Sequence, residues 1–307
     1  MVSGYTPADY LQFVLSGIST GSIYVLIALG VVLIYNVAGI INLAQGEYAM
    51  LGAMLAITYQ RWGLPVPLAF LAAVLSVVLT GVVVERLTVN PVRSASPVTL
   101  IIITVGVSMV LRGIALLIWG TEPYPLAEFT PGAPLNVLGA IVSRQRLWIM
   151  GTAAGVLGAL YYLLEHTLLG KALRACAINR QAASLMGIGP GHMSLAAFVL
   201  SAGLGAVGGI VIAPLTLATY DMGLMLGLKG FVAAVIGGLL SAPGAVAGGL
   251  ALGVLESLAA GLLSSGMKDA IAFIVLLAVI LARSEQARQW LKGGRRLALP
   301  ARREAPQ

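Results

Sequence analysis

Apolar residues fill long runs along this chain, and polar residues collect in short clusters between them. Runs of this kind predict bilayer-crossing helices, since a span needs about 20 mostly apolar residues. The first run covers residues 10–35, where Ser16, Thr20 and Tyr24 recur at every fourth position. That spacing puts one small or polar stripe on an apolar helix, a face suited to protein rather than lipid. Further runs cover residues 67–84, 98–119, 148–164, 195–217 and 270–281. Gly151 with Gly155, and Gly205 with Gly209, offer close-packing faces. From Gly237 the small residues Ser241, Ala245, Gly249, Gly253, Ser257 and Gly261 follow at intervals of four, and Pro243 is expected to break that stretch into two helices. The pattern predicts an all-α, polytopic transmembrane helical bundle of about seven to nine membrane segments with broken or re-entrant helices.

Three polar sites interrupt the apolar runs. Asn42, Gln45 and Glu47 fall in residues 40–53, where polar groups are costly at membrane depth. On one continuous helix Glu47 would point far from Asn42, about 140° around the axis. A chain break fits better, with Asn42 and Gln45 as a variant capping box that opens a new half-helix. The alternative is a cytosolic turn followed by an ordinary capped helix. Thr104, Ser108 and Arg112 stand on one face of the next long run but one. An arginine so placed should face the bundle interior, paired with Glu47 or Glu256 or lining a solute path. Lys229 and Glu256 are the remaining candidates for path lining or buried pairing.

Composition narrows the class. The chain is 59% hydrophobic and 9% charged, which excludes a soluble domain of 307 residues. The net charge of +7 sits in loops and tail, as membrane topology requires, and forms no nucleic-acid footprint. The single cysteine, Cys176, has no partner for a disulfide and no ligand-spaced neighbours, so no metal site is expected. Basic clusters place residues 86–93, residues 171–180 and the tail in the cytosol, and counting back puts the N-terminus outside. Residues 120–146, with four prolines and two acids, form an outer loop on this count. The domain plan is a permease domain over residues 1–285 and a basic cytoplasmic tail over residues 286–307.

No enzyme signature appears. Gly170-Lys171 is followed by Ala172 rather than Ser or Thr, and Glu165 takes the place of the first P-loop glycine. His166 and His192 lie at loop edges, and no catalytic residue is expected. The longest basic amphipathic stretch, residues 166–192, carries Lys171, Arg174 and Arg180 and then Gln181-Ala182-Ala183-x-x-x-Gly187. That pattern resembles the EAA---G loop by which ABC-importer permeases dock a short helix into an ATPase, with Gln181 where the motif has an acid. Ala182, Ala183 and Gly187 would form a small-residue face for the partner.

The resemblance extends along the chain from about residue 10 to residue 285. Residues 21–30 (GSIYVLIALG), 41–47 (INLAQGE), 169–175 (LGKALRA), Leu185-Met186-Gly187-Ile188, and Gly237-Gly238-Leu239 with Ser241 and Pro243-Gly244-Ala245 are similar to the branched-chain amino acid ABC transporter permease family, in particular its LivH-type subunits. The resemblance implies a multi-pass permease of a bacterial inner-membrane importer. Its implied partners are a second, LivM-type permease, two cytosolic ATP-binding subunits and a periplasmic solute-binding protein. ATP and magnesium would bind the partner ATPases and no cofactor would bind this chain. Gly170, Arg174, Arg180, Gln181, Ala182, Ala183 and Gly187 become the coupling residues. Branched-chain amino acids lead as solute, ahead of urea, short amides and aromatic acids. The competing class is an ATP-independent secondary transporter or channel, in which Glu47, Arg112 and Glu256 would couple ions.

Overall fold

The computed structural model describes residues 6–93, 95–262, 266 and 268–283. Helices dominate: α1 (Pro7–Ala38), α2 (Gln45–Arg61), α3 (Val66–Val84), α4 (Pro97–Trp119), α5 (Arg144–His166), α6 (Leu168–Ile178), α7 (Arg180–Leu185), α8 (Pro190–Thr216), α9 (Met222–Gly237), α10 (Ala242–Leu262) and α11 (Lys268–Arg283). Between α4 and α5 a hairpin pairs β1 (Leu135–Val137) with β2 (Ala140–Val142). Helix ends follow local chemistry. The Asp9 carboxylate accepts the Thr6 backbone N–H at 2.7 Å and Pro7 opens α1, while Gly39 closes it at φ 73°. Ser96 caps α4 by accepting the Thr99 N–H at 3.2 Å.

Among the described residues, six helices are long and apolar enough to cross a membrane: α1, α3 with its continuation to Val92, α4, α5, α8 and α10. Helices α2, α9 and α11 are shorter, at 17, 16 and 16 residues. Pro243 lies in the first turn of α10, so the four-spaced run is divided where proline chemistry puts the break. The basic tail, residues 286–307, lies outside the described residues.

Helix α1 is the axis of the bundle. Its most apolar window is 89% buried, against 22% for α3 and for α4 and 17% for α5. Helices α8, α9 and α10 enclose it, and α2 packs between α3, α8 and α9. Small residues set these close approaches. Gly17 and Gly21 of α1 meet the backbone of α10 at Gly249, Gly253 and Val254. Gly205 and Gly209 of α8 meet Tyr48 and Ala49 of α2. Without a hydrophobic drive between helices in lipid, such backbone contact and internal hydrogen bonds hold a bundle together. A Cβ at Gly151 or Gly155 of α5, by contrast, would meet open space among the described residues. Helix α3 turns Leu68, Leu71, Leu75, Leu79 and Val83 outward in a stripe of helical spacing.

Candidate functional site: a polar junction, a buried ion network and an exposed loop

The break after α1 is present. Residues 40–44 are non-helical, and Asn42, Gln45 and Glu47 are each 1% exposed. The expected capping box is not how α2 starts. Ala44 precedes α2, while Asn42 Oδ1 accepts the Ala44 N–H at 3.1 Å in a local turn. The Gln45 side chain is engaged elsewhere: its Nε2 donates to the Ser201 carbonyl at 3.0 Å and its Oε1 accepts from the Ser201 hydroxyl. Across the bundle such a tertiary partner outcompetes the local one.

Gln45 packs on Gly30 of α1 and Ser201 of α8, both inside long helices, so α2 begins within the bundle. The start of α9 comes to the same place, with Gly223 and Gly227 against Gly46. Two helix N-termini therefore converge, and each carries partial positive charge. Glu47 supplies the negative charge that this junction needs. Its Oε1 accepts from Ser108 Oγ at 2.7 Å and Arg112 Nη2 at 3.0 Å, and its Oε2 faces Gly223. Thr104 Oγ1 completes the α4 stripe by accepting the Leu43 N–H at 3.3 Å. The stripe of Thr104, Ser108 and Arg112 thus binds the break, and Arg112 pairs with Glu47 rather than Glu256.

A second cluster joins α1, α9, α10 and α11. Lys229 Nζ lies 3.1 Å from Glu256 Oε1 and 2.8 Å from Asp269 Oδ1. Tyr24 OH donates to Glu256 Oε2 at 2.6 Å, and the Lys229 ammonium stands 5.7 Å from the Tyr24 ring centre. Glu256 and Lys229 are buried, while Asp269 is half exposed. Asp269 and Ser201 carried no sequence signal. Gln145, fully buried, was also missed; it donates to the Val211 carbonyl at 2.8 Å and accepts from the Phe129 N–H at 3.2 Å.

The α6–α7 loop lies against the bundle with one face exposed. Thr167 caps α6 and Asn179 caps α7, the latter accepting the N–H groups of Gln181 and Ala182 at 3.0 Å each. Gln181 and Ala182 are exposed, and so are Ile178, Leu185 and Met186. The expected small-residue face is not formed. Ala183 is buried against the bundle, and Gly187 lies beyond α7 at φ 81°. The N–H of Gly187 bonds the Ser184 carbonyl, and that of Ile188 bonds Ala183, at 3.1 and 3.0 Å. This is a Schellman ending, so Gly187 serves backbone conformation. Gly170 also turns inward, against Leu163 and Leu164 of α5. Arg174 pairs with Glu165 at 2.6 Å on the surface, and Arg180 Nη1 donates to the Ala38 carbonyl at 3.2 Å.

Beside the loop, α1, α5, α6 and α10 border an apolar cavity of about 820 Å³, lined by residues such as Val32, Leu160, Leu173 and Val246. Burial pushes the Cys176 thiol up, and its side chain is 4% exposed. Little thiolate forms at neutral pH, so the folded chain is expected to label with maleimide far more slowly than the unfolded chain. Equal rates measured by gel shift would contradict this burial.

A family model described as branched-chain amino acid transport system, permease component, matches residues 13–280. The chain belongs to this family. It is the permease component of an ABC transport system, a class that works with ATP-binding and solute-binding components. The permease is 33% identical over 288 residues to the high-affinity branched-chain amino acid permease BraD of Pseudomonas aeruginosa, covering 89% of this chain and 94% of that one. It is 32% identical over 289 residues to LivH of Salmonella typhimurium, covering 89% and 93%. The galactofuranose permease YtfT of Escherichia coli is 26% identical over 298 residues, covering 88% and 79%. Among solved structures, PsaBC from Streptococcus pneumoniae in complex with Fab superposes with a TM-score of 0.51 at 14% identity, covering 94% of this chain and 100% of that one. That likeness concerns the fold alone.

Proposed function

We propose that this permease is the LivH-type subunit of a bacterial inner-membrane importer that moves branched-chain amino acids inward. The observation that carries this reading is the 32–33% identity to LivH and BraD along nearly the whole of both chains. The second permease is LivM-type, two cytosolic subunits hydrolyse ATP, and a periplasmic protein delivers the solute. ATP and magnesium stay on those subunits, and the N-terminus is periplasmic while the C-terminus is cytoplasmic. The α6–α7 loop docks the ATPases, with Gln181 and the exposed Leu185 and Met186 as contact residues. Apolar side chains exposed on a short capped helix suit an α-helical plug for a groove.

Purification of the permease in mild detergent from its native host tests this directly. Co-purified ATPases and a second permease support the importer, and ATP-dependent leucine uptake in proteoliposomes supports the solute. Uptake without ATP by the chain alone would move the function to an ATP-independent transporter. Uptake of a sugar but not leucine, once the system's own binding protein is added, would overturn the solute.

The loop carries its own prediction. Gly187→Val places a β-branched residue at φ 81°, where an L residue costs about 1–2 kcal/mol. The Schellman ending should open, and uptake should fall about tenfold while insertion persists. Gly187→Asn should keep most uptake, because asparagine tolerates that conformation. Equal uptake by both variants would separate the turn from coupling.

A further inference from the structure

We propose that Arg180 is a positioning residue that ties the ATPase-facing loop to the polar junction through the C-terminus of α1. The proposal rests on the importer reading. Ala38 is the last residue of α1, and its carbonyl belongs to the end of the helix that has no partner within it. The Arg180 guanidinium donates to that carbonyl across 142 positions of sequence. A cation suits the negative end of a helix dipole. Arg180 itself is the first residue of α7, and the Asn179 cap fixes that helix start. Its side chain therefore faces α1, while the exposed docking surface is made by Gln181, Leu185 and Met186.

An apolar tether runs parallel to this bond. Leu173 of α6 and Ala183 of α7 share one buried cluster with Ile34, Val37, Ala38 and Ile40. Ile40 already belongs to the non-helical stretch. Residues 40–44 are a short link between Ala38 and the start of α2. The link and the first turn of α2 have discrete anchors: Thr104 on Ile41 and Leu43 at 3.3 Å each, then Ser201 on Gln45, then Ser108 and Arg112 on Glu47. Movement of α7 thus reaches contacts to α4, α8 and α9 within ten residues of Ala38. A route of this kind needs coupling measured along it, not position alone.

The test uses the purified importer complex with Ile41→Cys in a Cys176→Ala background. Maleimide labelling of position 41 is followed with and without ATP and vanadate, and normalised to nucleotide trapped. With Arg180 present, trapping should change the labelling rate. Arg180→Ala should shrink that response about tenfold, the loss of one charge-assisted hydrogen bond. Arg180→Lys should keep most of it, since lysine still donates. A full response in Arg180→Ala overturns the proposal, and so does a position 41 that never responds although nucleotide is trapped. Where Arg180→Ala does not assemble, Arg180→Gln takes its place, too short to bridge and expected to lose the response equally. A complex that traps no nucleotide with Arg180 intact would instead overturn the importer reading.

Discussion

Lys229→Met should destabilise the permease by about 3–5 kcal/mol, the cost of leaving a buried charge without its partner. The ammonium is the only cation in contact with Glu256 among the described residues, and Asp269 lies on its other side. Methionine fills the space of the lysine stem but gives the Glu256 carboxylate nothing in return for its lost water. Tyr24 would hold one oxygen, at 2.6 Å, and cannot neutralise it. Most of the penalty comes from Glu256, because Asp269 is half exposed and can turn to solvent. Lys229→Met combined with Glu256→Gln should therefore recover most of the loss, since a neutral amide can keep the tyrosine bond. Unfolding in detergent, followed by tryptophan fluorescence, measures both. An unchanged midpoint for the single variant, or no recovery in the double, would remove the network from the account of stability.

Gly253→Leu should be as damaging for a different reason. A Cβ at Gly253 would fall on the Gly21 nitrogen and the Gly17 carbonyl, both backbone atoms of the central helix. Backbone cannot give way as a flexible side chain can, so α10 would be pushed from α1. The expected cost is about 3 kcal/mol or more, the upper end for overpacking. Gly253→Ala should fall between the two. Gly155→Leu serves as the comparison, because a Cβ there would meet open space among the described residues. If the two leucine variants melt alike, close approach at Gly253 is not what sets the α1–α10 contact.

Features governed by local rules were legible in the sequence. Proline cannot continue a helix, so Pro243 marked the start of α10. Thr104, Ser108 and Arg112 share a face by spacing alone, and the structure uses that face on one partner segment. Asn42 and Glu47 were too polar for a continuous apolar helix, and the chain breaks beside them. What was not legible depends on which surfaces meet in space. Gln45 has a local use as a capping residue and a distant one on Ser201, and only packing of α2 on α8 decides between them. Ala182 and Ala183 are chemically identical neighbours, yet one is exposed and the other lies under the loop. Gly187 matched a docking pattern, but its role came from the φ of 81° that ends α7.

The pairing of Glu47 with Arg112 also bears on how the chain is made. The two residues are 65 positions apart, so the ribosome releases the acid well before the base. Helix α2 must be accepted into the insertion channel while its carboxylate still has no counter-charge. Until α4 follows, only a proton can neutralise the acid, and α9 arrives later still to close over it. The final contacts of α2 are therefore made only with helices synthesised after it. A chain stopped after α3 would hold Glu47 without Ser108 or Arg112, and a protonated carboxyl in place of an ion pair.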